Sequence, residues 1–528
     1  MADVLHGSVL FRALDALHGW LGRQVSESCI LSYLAMLWRG CFLRKLFVSG
    51  GDRMLRQSAL YASAERRNER LAQAHGLGAC VRDSLLYRIP AAICRAGKSS
   101  FFLGRLFSSG GTGILLTLLG LYAGLDWLLR DLFSVPVLSS LWDEMLLAAC
   151  LVWIVWQRTD RSTPVLPNLN PMDLPVALFP VTALCLLILV HPHLSINVSG
   201  FRASCQYVLW FFIVTRLIRS DRDFKRLYGA LIVLATIVAL HGIYQYIVAA
   251  PIPEHWTDAA EQKVRTRVYS IFGSPNIMAD YMLLFAPMTA GLAYYVKSSR
   301  LRLIAWCATG CMCLSCLFTM SRGGWVAMAA AIVVFAILVD SRLLLLMLAG
   351  AAGAMVLPFV RSRIGYLFTD SFAESTARGG RGGRWAIGMK LLNEANPLFG
   401  VGHGIFGGAI AMQNQVNPRW AYFYLDNYYM KTLVEMGYFG LTAFITMLVG
   451  WFLSATRCLK RCFDKEKERR QQGMYPLAAG IFAGQCGVLV HCYFENIFEE
   501  PYMQAYFWIL AAMLVWLGFL RKREPKAE

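Results

Sequence analysis

Charge is what this chain has little of: Asp, Glu, Lys and Arg make up 16% of its 528 residues against 57% hydrophobic, and the 33 acids are outnumbered by 51 Lys and Arg. With a mean hydropathy of +0.48, a soluble domain would have more apolar surface than it can bury, so a polytopic membrane protein is implied, each span taking roughly 20 mostly apolar residues. The spans must be helical, because a strand edge or loop facing lipid leaves backbone groups unpaired. The N-terminus lacks an uninterrupted apolar core followed by a small-residue cleavage site, which argues against a signal peptide. Cysteine is missing from residues 250–275 and 361–426, so neither segment holds a disulfide framework. Cys307, Cys311, Cys313 and Cys316 crowd one helix, but no His or carboxylate joins them; they read as small buried residues, and no metal or other cofactor is expected. An internal repeat is also missing, which weakens an inverted-repeat transporter reading.

What is present divides the chain in two. Residues 1–109 carry 15 Lys or Arg against 7 Asp or Glu. Patches such as 32–47 have helical spacing interrupted by Arg39, Arg44 and Lys45, and suit either amphipathic helices on a membrane face or a cytosolic helical appendage. Residues 110–528 form the transmembrane domain, all-α, with about twelve spans expected near 110–130, 136–156, 175–192, 203–218, 227–249, 276–296, 302–320, 323–340, 342–360, 427–455, 475–493 and 502–520. Gly120 with Gly124, and Gly480 with Gly484, have the spacing of close helix packing.

The connections 219–226, 297–302 and 456–472 and the tail 521–526 are all basic. Counting spans puts them on one side, the cytoplasm, together with both termini. The segments 250–275, 320–323 and 361–426 then face outward. The net charge of +18 is accounted for by this topology and the bilayer, and needs no nucleic acid.

Arginines on the outer side run against the topological bias, so each wants a reason. Arg265 and Arg267 precede a turn that opens a span at Pro275, Arg322 sits in a hairpin with almost no loop, and Arg378, Arg381 and Arg384 lie among glycines in the long 361–426 loop. If these loops fold over one another, the guanidiniums converge on a site for a diphosphate; the alternative is that they snorkel to lipid headgroups. GHGIFG (402–407) matches a dinucleotide-binding pattern but has no strand before it, so a tight turn is expected, with His403 either a turn residue or a substrate contact. His491, Glu495, Asn496, Glu499 and Glu500 cluster at the end of the eleventh expected span, placed to answer the arginines or to recognise sugars.

The order GIYQYI (242–247), RVYSIFGSPNIMADYM (267–282), SRGGW (321–325), RWAIGMKLLNEANPLFGVGHGIFG (384–407) and DNYYMKTLVEMGYFGL (426–441) resembles the bacterial O-antigen ligase and O-antigen polymerase superfamily over roughly residues 230–510. The resemblance implies a GT-C-like membrane glycosyltransferase of the bacterial plasma membrane, inverting and metal-independent. Its donor is a glycan on undecaprenyl diphosphate and its acceptor a hydroxyl on a glycan, lipid or cell-wall component. It implies that Arg322 and Arg384 neutralise the departing diphosphate, assisted by Arg265 or Arg267. Where the ligases end the long loop in His-Asn, this chain has Asp426-Asn427. Asp426 is able to accept a proton or orient a hydroxyl once its pKa is raised, and it also suits a helix N-cap. Glu435 and Gly437 are expected to fix the start of the following helix, with Glu435 a candidate partner for an arginine. Ligase, polymerase of the same superfamily and lipid-linked glycan transporter all remain open at this point.

Overall fold

The computed structural model describes residues 111–133, 136–157, 170–252, 266–365, 368, 380–415, 424–463 and 473–521. The expectations for residues 1–109, Arg265 and Arg378 lie outside them. Among the described residues every regular element is helical. In chain order these are α1 (Gly111–Gly120), α2 (Tyr122–Trp127, continued by a wider turn over Leu128–Leu132), α3 (Pro136–Gln157), α4 (Asp173–Leu189), α5 (Leu194–Cys205), α6 (Leu209–Leu217), α7 (Asp221–Ile247) and α8 (Pro275–Tyr295). There follow α9 (Ser299–Phe318), α10 (Arg322–Leu338), α11 (Arg342–Val356), α12 (Pro358–Gly365), α13 (Arg381–Glu394), α14 (Ala409–Asn414), α15 (Tyr428–Cys462), α16 (Tyr475–His491) and α17 (Pro501–Val515, extended by Trp516–Leu520).

Five of them, α7, α8, α9, α15 and extended α17, are long and apolar enough to cross a membrane. The number rises to seven if the pairs α1–α2 and α11–α12, bent by 74° and 92°, each count as one span. Among the described residues the fold is thus a polytopic helical bundle with five to seven candidate spans. Helices α4, α10 and α16 are also apolar, at 17 residues each, about 26 Å at the usual rise, the lower end of what crosses a bilayer.

Helices α8 and α17 form the centre, with 89% and 83% of their apolar windows buried, whereas α9 buries 28% and lies at the periphery. Helix α16 lies against α8, where a Cβ at Gly484 or Gly480 would collide with the carbonyls of Leu284 or Pro287; the small residues are there for packing, as their spacing suggests. One end of the bundle is closed by ion pairs. Arg521 grips Asp221 at 2.7 and 2.6 Å, Arg216 grips Asp173 with two bonds of 2.9 Å, and Ser220 with Asp223 caps α7. The opposite end gathers the starts of α8, α10 and α15 and the end of α16.

Candidate active site

The segment 491–496, which leaves α16, is the point on which that end is built. The Asn276 amide at the start of α8 donates to Glu495 Oε2 at 2.6 Å. Gly323, in the first turn of α10, packs so closely on His491 and Phe494 that a Cβ there would overlap both. The Tyr428 amide, first in α15, donates to the Cys492 carbonyl at 2.8 Å. Arg381, first in α13, donates to the Phe494 carbonyl at 3.0 Å and lies over its ring at 5.8 Å. Four helix N-termini, where backbone N–H groups and the helix dipole favour an anion, therefore abut one short segment.

Three of the expected arginines are carried by these N-termini. Arg322 is the first residue of α10, after the N-cap Ser321. Arg381 and Arg384 lie in the first turn of α13, and both reach Asp426: Arg384 Nη1 is 2.8 Å from Oδ2 and Arg381 Nε 3.7 Å. Arg384 also donates to the Tyr424 carbonyl at 2.6 Å, and Trp385 to the Leu425 carbonyl at 3.1 Å, so α13 is clamped along residues 424–426. Asp426 has φ 52° and Met320, just before Arg322, has φ 56°. Both are non-glycine residues in the left-handed region, a conformation that costs energy and concentrates at functional sites. Burial raises the pKa of Asp426, and the two guanidiniums oppose the rise. Asp426 is not the helix cap: Asn427 accepts from the Met430 amide at 3.0 Å, because Asp426 has turned out of line to meet the arginines.

Arg267 is buried between these elements, its Nε donating to the Thr319 carbonyl at 3.1 Å and its Nη2 lying 3.4 Å from Asn276 Oδ1. It braces the hairpin against α8. Glu495, on the far side of Asn276, has its pKa pushed up to about 7, first by burial and then by Asp426, with His491 and Asn276 pulling the other way. Behind it, His491 Nδ1 lies 2.8 Å from Asp280 in α8.

The glycine-rich turn after α13 forms the adjoining wall. Gly402, Gly404 and Gly407 all have positive φ, the tight turn expected in place of a nucleotide loop. Asn496 holds the Gly407 carbonyl at 2.8 Å, and Glu435 and Glu499 reach the amides of Phe406 and Ala409. Lys431 bridges Glu435 at 2.7 Å and Glu499 at 3.3 Å; the partner of Glu435 is thus a lysine rather than an arginine, at the i, i+4 spacing that brings helical side chains together.

His403 stands apart from the arginine cluster. It is 1% exposed, its Nε2 meets the Ala183 carbonyl at 3.0 Å, and its ring lies edge-on to Phe201. Burial lowers its pKa to about 4 from 6.5, more than the Ala183 bond raises it. Because the folded state binds the proton more weakly than the unfolded chain, stability is full above pH 6.5 and falls as the pH drops from there towards 4, by on the order of 3 kcal/mol. Thermal unfolding in detergent between pH 7 and 4 should show this loss, and the His403→Leu variant should flatten it; an unchanged slope in the variant would assign the loss elsewhere.

The geometry brings together Arg381, Arg384 and Asp426 from the expected set, sets Arg322 at the start of α10 next to the Gly323 contact with His491 and Phe494, makes Arg267 a brace between Thr319 and Asn276, and leaves His403 and the capping Asn427 outside. Phe494 and the carbonyl of Tyr424 enter without having been singled out in sequence, and Asn276, expected with Pro275 only to open a span, enters as the partner of Glu495.

These features define a class: an all-helical, multi-pass membrane protein with a guanidinium-rich polar site at one end of its bundle. Within that class, residues 307–445 match the family model described as O-Antigen ligase. The matched span runs from within α9 into α15 and includes Arg322, Arg381, Arg384 and Asp426, but not residues 491–496. No curated protein matches the chain. The family supports a ligase- or polymerase-type membrane enzyme, and implies a lipid-linked glycan donor and a glycan acceptor.

Proposed function

We propose that this protein is a glycosyltransferase that moves a glycan from undecaprenyl diphosphate to an acceptor hydroxyl at the outer face of the bacterial plasma membrane, either joining it to a new acceptor or lengthening a chain. The observation that carries this reading is the meeting of four helix N-termini at residues 491–496, one of them headed by Arg322 and another carrying Arg381 and Arg384. In a direct displacement at the anomeric carbon, negative charge develops on the departing diphosphate, and donors fixed in advance around it lower the barrier. Displacement from the opposite face inverts the anomeric configuration. The reading includes a GT-C-like arrangement of about twelve spans, with the basic connections and both termini in the cytoplasm.

An apolar groove supports a lipid carrier. It holds about 530 Å³ between α8, α9, α10 and α11, and is lined by Leu317 and Trp325 beside the hairpin and by Trp306, Met328 and Leu346 farther along. A polyprenyl chain laid there would bring its diphosphate towards Arg322, at the head of α10. The test is to incubate the purified protein with an undecaprenyl-diphosphate glycan and candidate acceptors. Release of carrier with longer or newly anchored glycan is expected. Movement of intact donor across a vesicle membrane without bond cleavage would point to a transporter instead.

A further inference from the structure

Two carboxylates border the cluster, and they are held differently. Asp426 is engaged by Arg384 at 2.8 Å, with Arg381 3.7 Å away. Among the described residues no Lys or Arg pairs with Glu495, whose oxygens meet only the neutral Asn276 amide at 2.6 Å and the Asn496 backbone at 3.3 Å. We propose that Glu495 is the base that takes the proton from the acceptor hydroxyl, and that Asp426 is a positioning residue that aims Arg384 and Arg381 at the diphosphate. This rests on the glycan-transfer reading above. It assigns a catalytic residue outside the span that matches the O-antigen ligase family, which ends at residue 445.

The step balances without a further reactant. The acceptor O–H proton passes to a Glu495 oxygen and the acceptor oxygen bonds to the anomeric carbon. The bond from that carbon to the diphosphate oxygen breaks, and its electron pair leaves on the diphosphate. A base works best with a pKa near the operating pH, and Glu495 sits at about 7. The charged and titratable groups facing it are Asp426 from the long segment, His491 from the end of α16 with Asp280 of α8 behind it, and Glu500, whose own pKa is also pushed up to about 7. Arg267 acts on it through Asn276, and Arg381 and Arg384 through Asp426. Asn276 donates to the ionised form and holds the pKa down, so it sets where the base becomes active.

The full-length enzyme, assayed by release of undecaprenyl diphosphate, should show a rate that rises with pH, is half-maximal near 7 and levels off about one unit above. Glu495→Gln should lower that rate at least about 100-fold while still binding donor, the binding serving as the check on folding. Asp426→Asn should be slower but keep the pH limb, and Asn276→Ala should move the limb to higher pH, which a purely structural role would not do. A carboxyl band titrating near pH 7 in the infrared difference between the wild type and Glu495→Gln is expected whether or not glycan is supplied, and its absence would overturn the assignment. So would a Glu495→Gln enzyme that transfers within about threefold of the wild type, or a limb that vanishes in Asp426→Asn and persists in Glu495→Gln. A wild type that releases no carrier overturns the glycan-transfer reading, and the role of Glu495 with it; a competent wild type beside a competent Glu495→Gln overturns the role alone.

Discussion

Arg384→Ala is expected to lower the rate of carrier release by about 10³-fold, on the order of 4 kcal/mol of barrier. Three losses coincide. The developing charge on the diphosphate loses one of its guanidiniums, the Tyr424 carbonyl loses its 2.6 Å donor, and Asp426 loses its closest cation. Because burial already raises the pKa of Asp426, removing Arg384 drives that carboxyl towards its neutral form and frees Arg381 from its place. Arg384→Lys restores the charge but not a planar group able to reach Tyr424 and Asp426 together, so an intermediate loss of about 10- to 100-fold should follow. Both variants should remain in the membrane at normal levels, since α13 lies at the end of the bundle rather than in its core. Carrier release at wild-type rate in Arg384→Ala would remove this residue from the reaction.

Gly437→Ala should damage folding severely. Helix α15 breaks at Gly437, where φ is 64° and ψ −169°, a conformation open in practice only to glycine. A Cβ would overlap the Leu398 carbonyl and the Phe399 amide. The break lets the chain after α13 bond to the helix: the Val401 and Gly402 amides reach the carbonyls of Val434 and Glu435 at 3.0 and 2.9 Å, and the Tyr438 amide reaches Pro397 at 2.9 Å. Strain and overlap together should cost at least about 3 kcal/mol, seen as a sharp fall in melting temperature and in monodisperse yield in detergent. A melting temperature within a degree or two of wild type would mean that the segment is held by other contacts.

The membrane class and the hairpin are legible in the sequence because they depend on local composition. Spans expected at 302–320 and 323–340 appear as α9 and α10 with Ser321 and Arg322 at the junction. The pairing of Arg384 with Asp426 is not legible, although both residues stand out, because 42 positions of glycine-rich chain separate them and loop sequence carries little information about its contacts. The expectation of Asp426 as the cap, where the structure has Asn427, fails for a different reason. Both side chains cap well, and only the demand of the arginines takes Asp426 out of line. The Lys431–Glu435 pair is legible at i, i+4 spacing, whereas the expectation of an arginine partner for Glu435 does not hold. Glu495 appears in sequence only as one acid among several. Its separation from cations is set by four elements that meet from distant parts of the chain.

Residues 491–496 serve as a shared keystone for pieces of chain that never touch in sequence. The recognisable ligase segment, ending at residue 445, is therefore half of a mould whose other half is cast some fifty residues later. A protein truncated ahead of His491 would keep Arg322, Arg381 and Arg384 but lose the surface on which their helices meet, and grafting 307–445 into another bundle would carry over the positive charge without the shape that makes it selective.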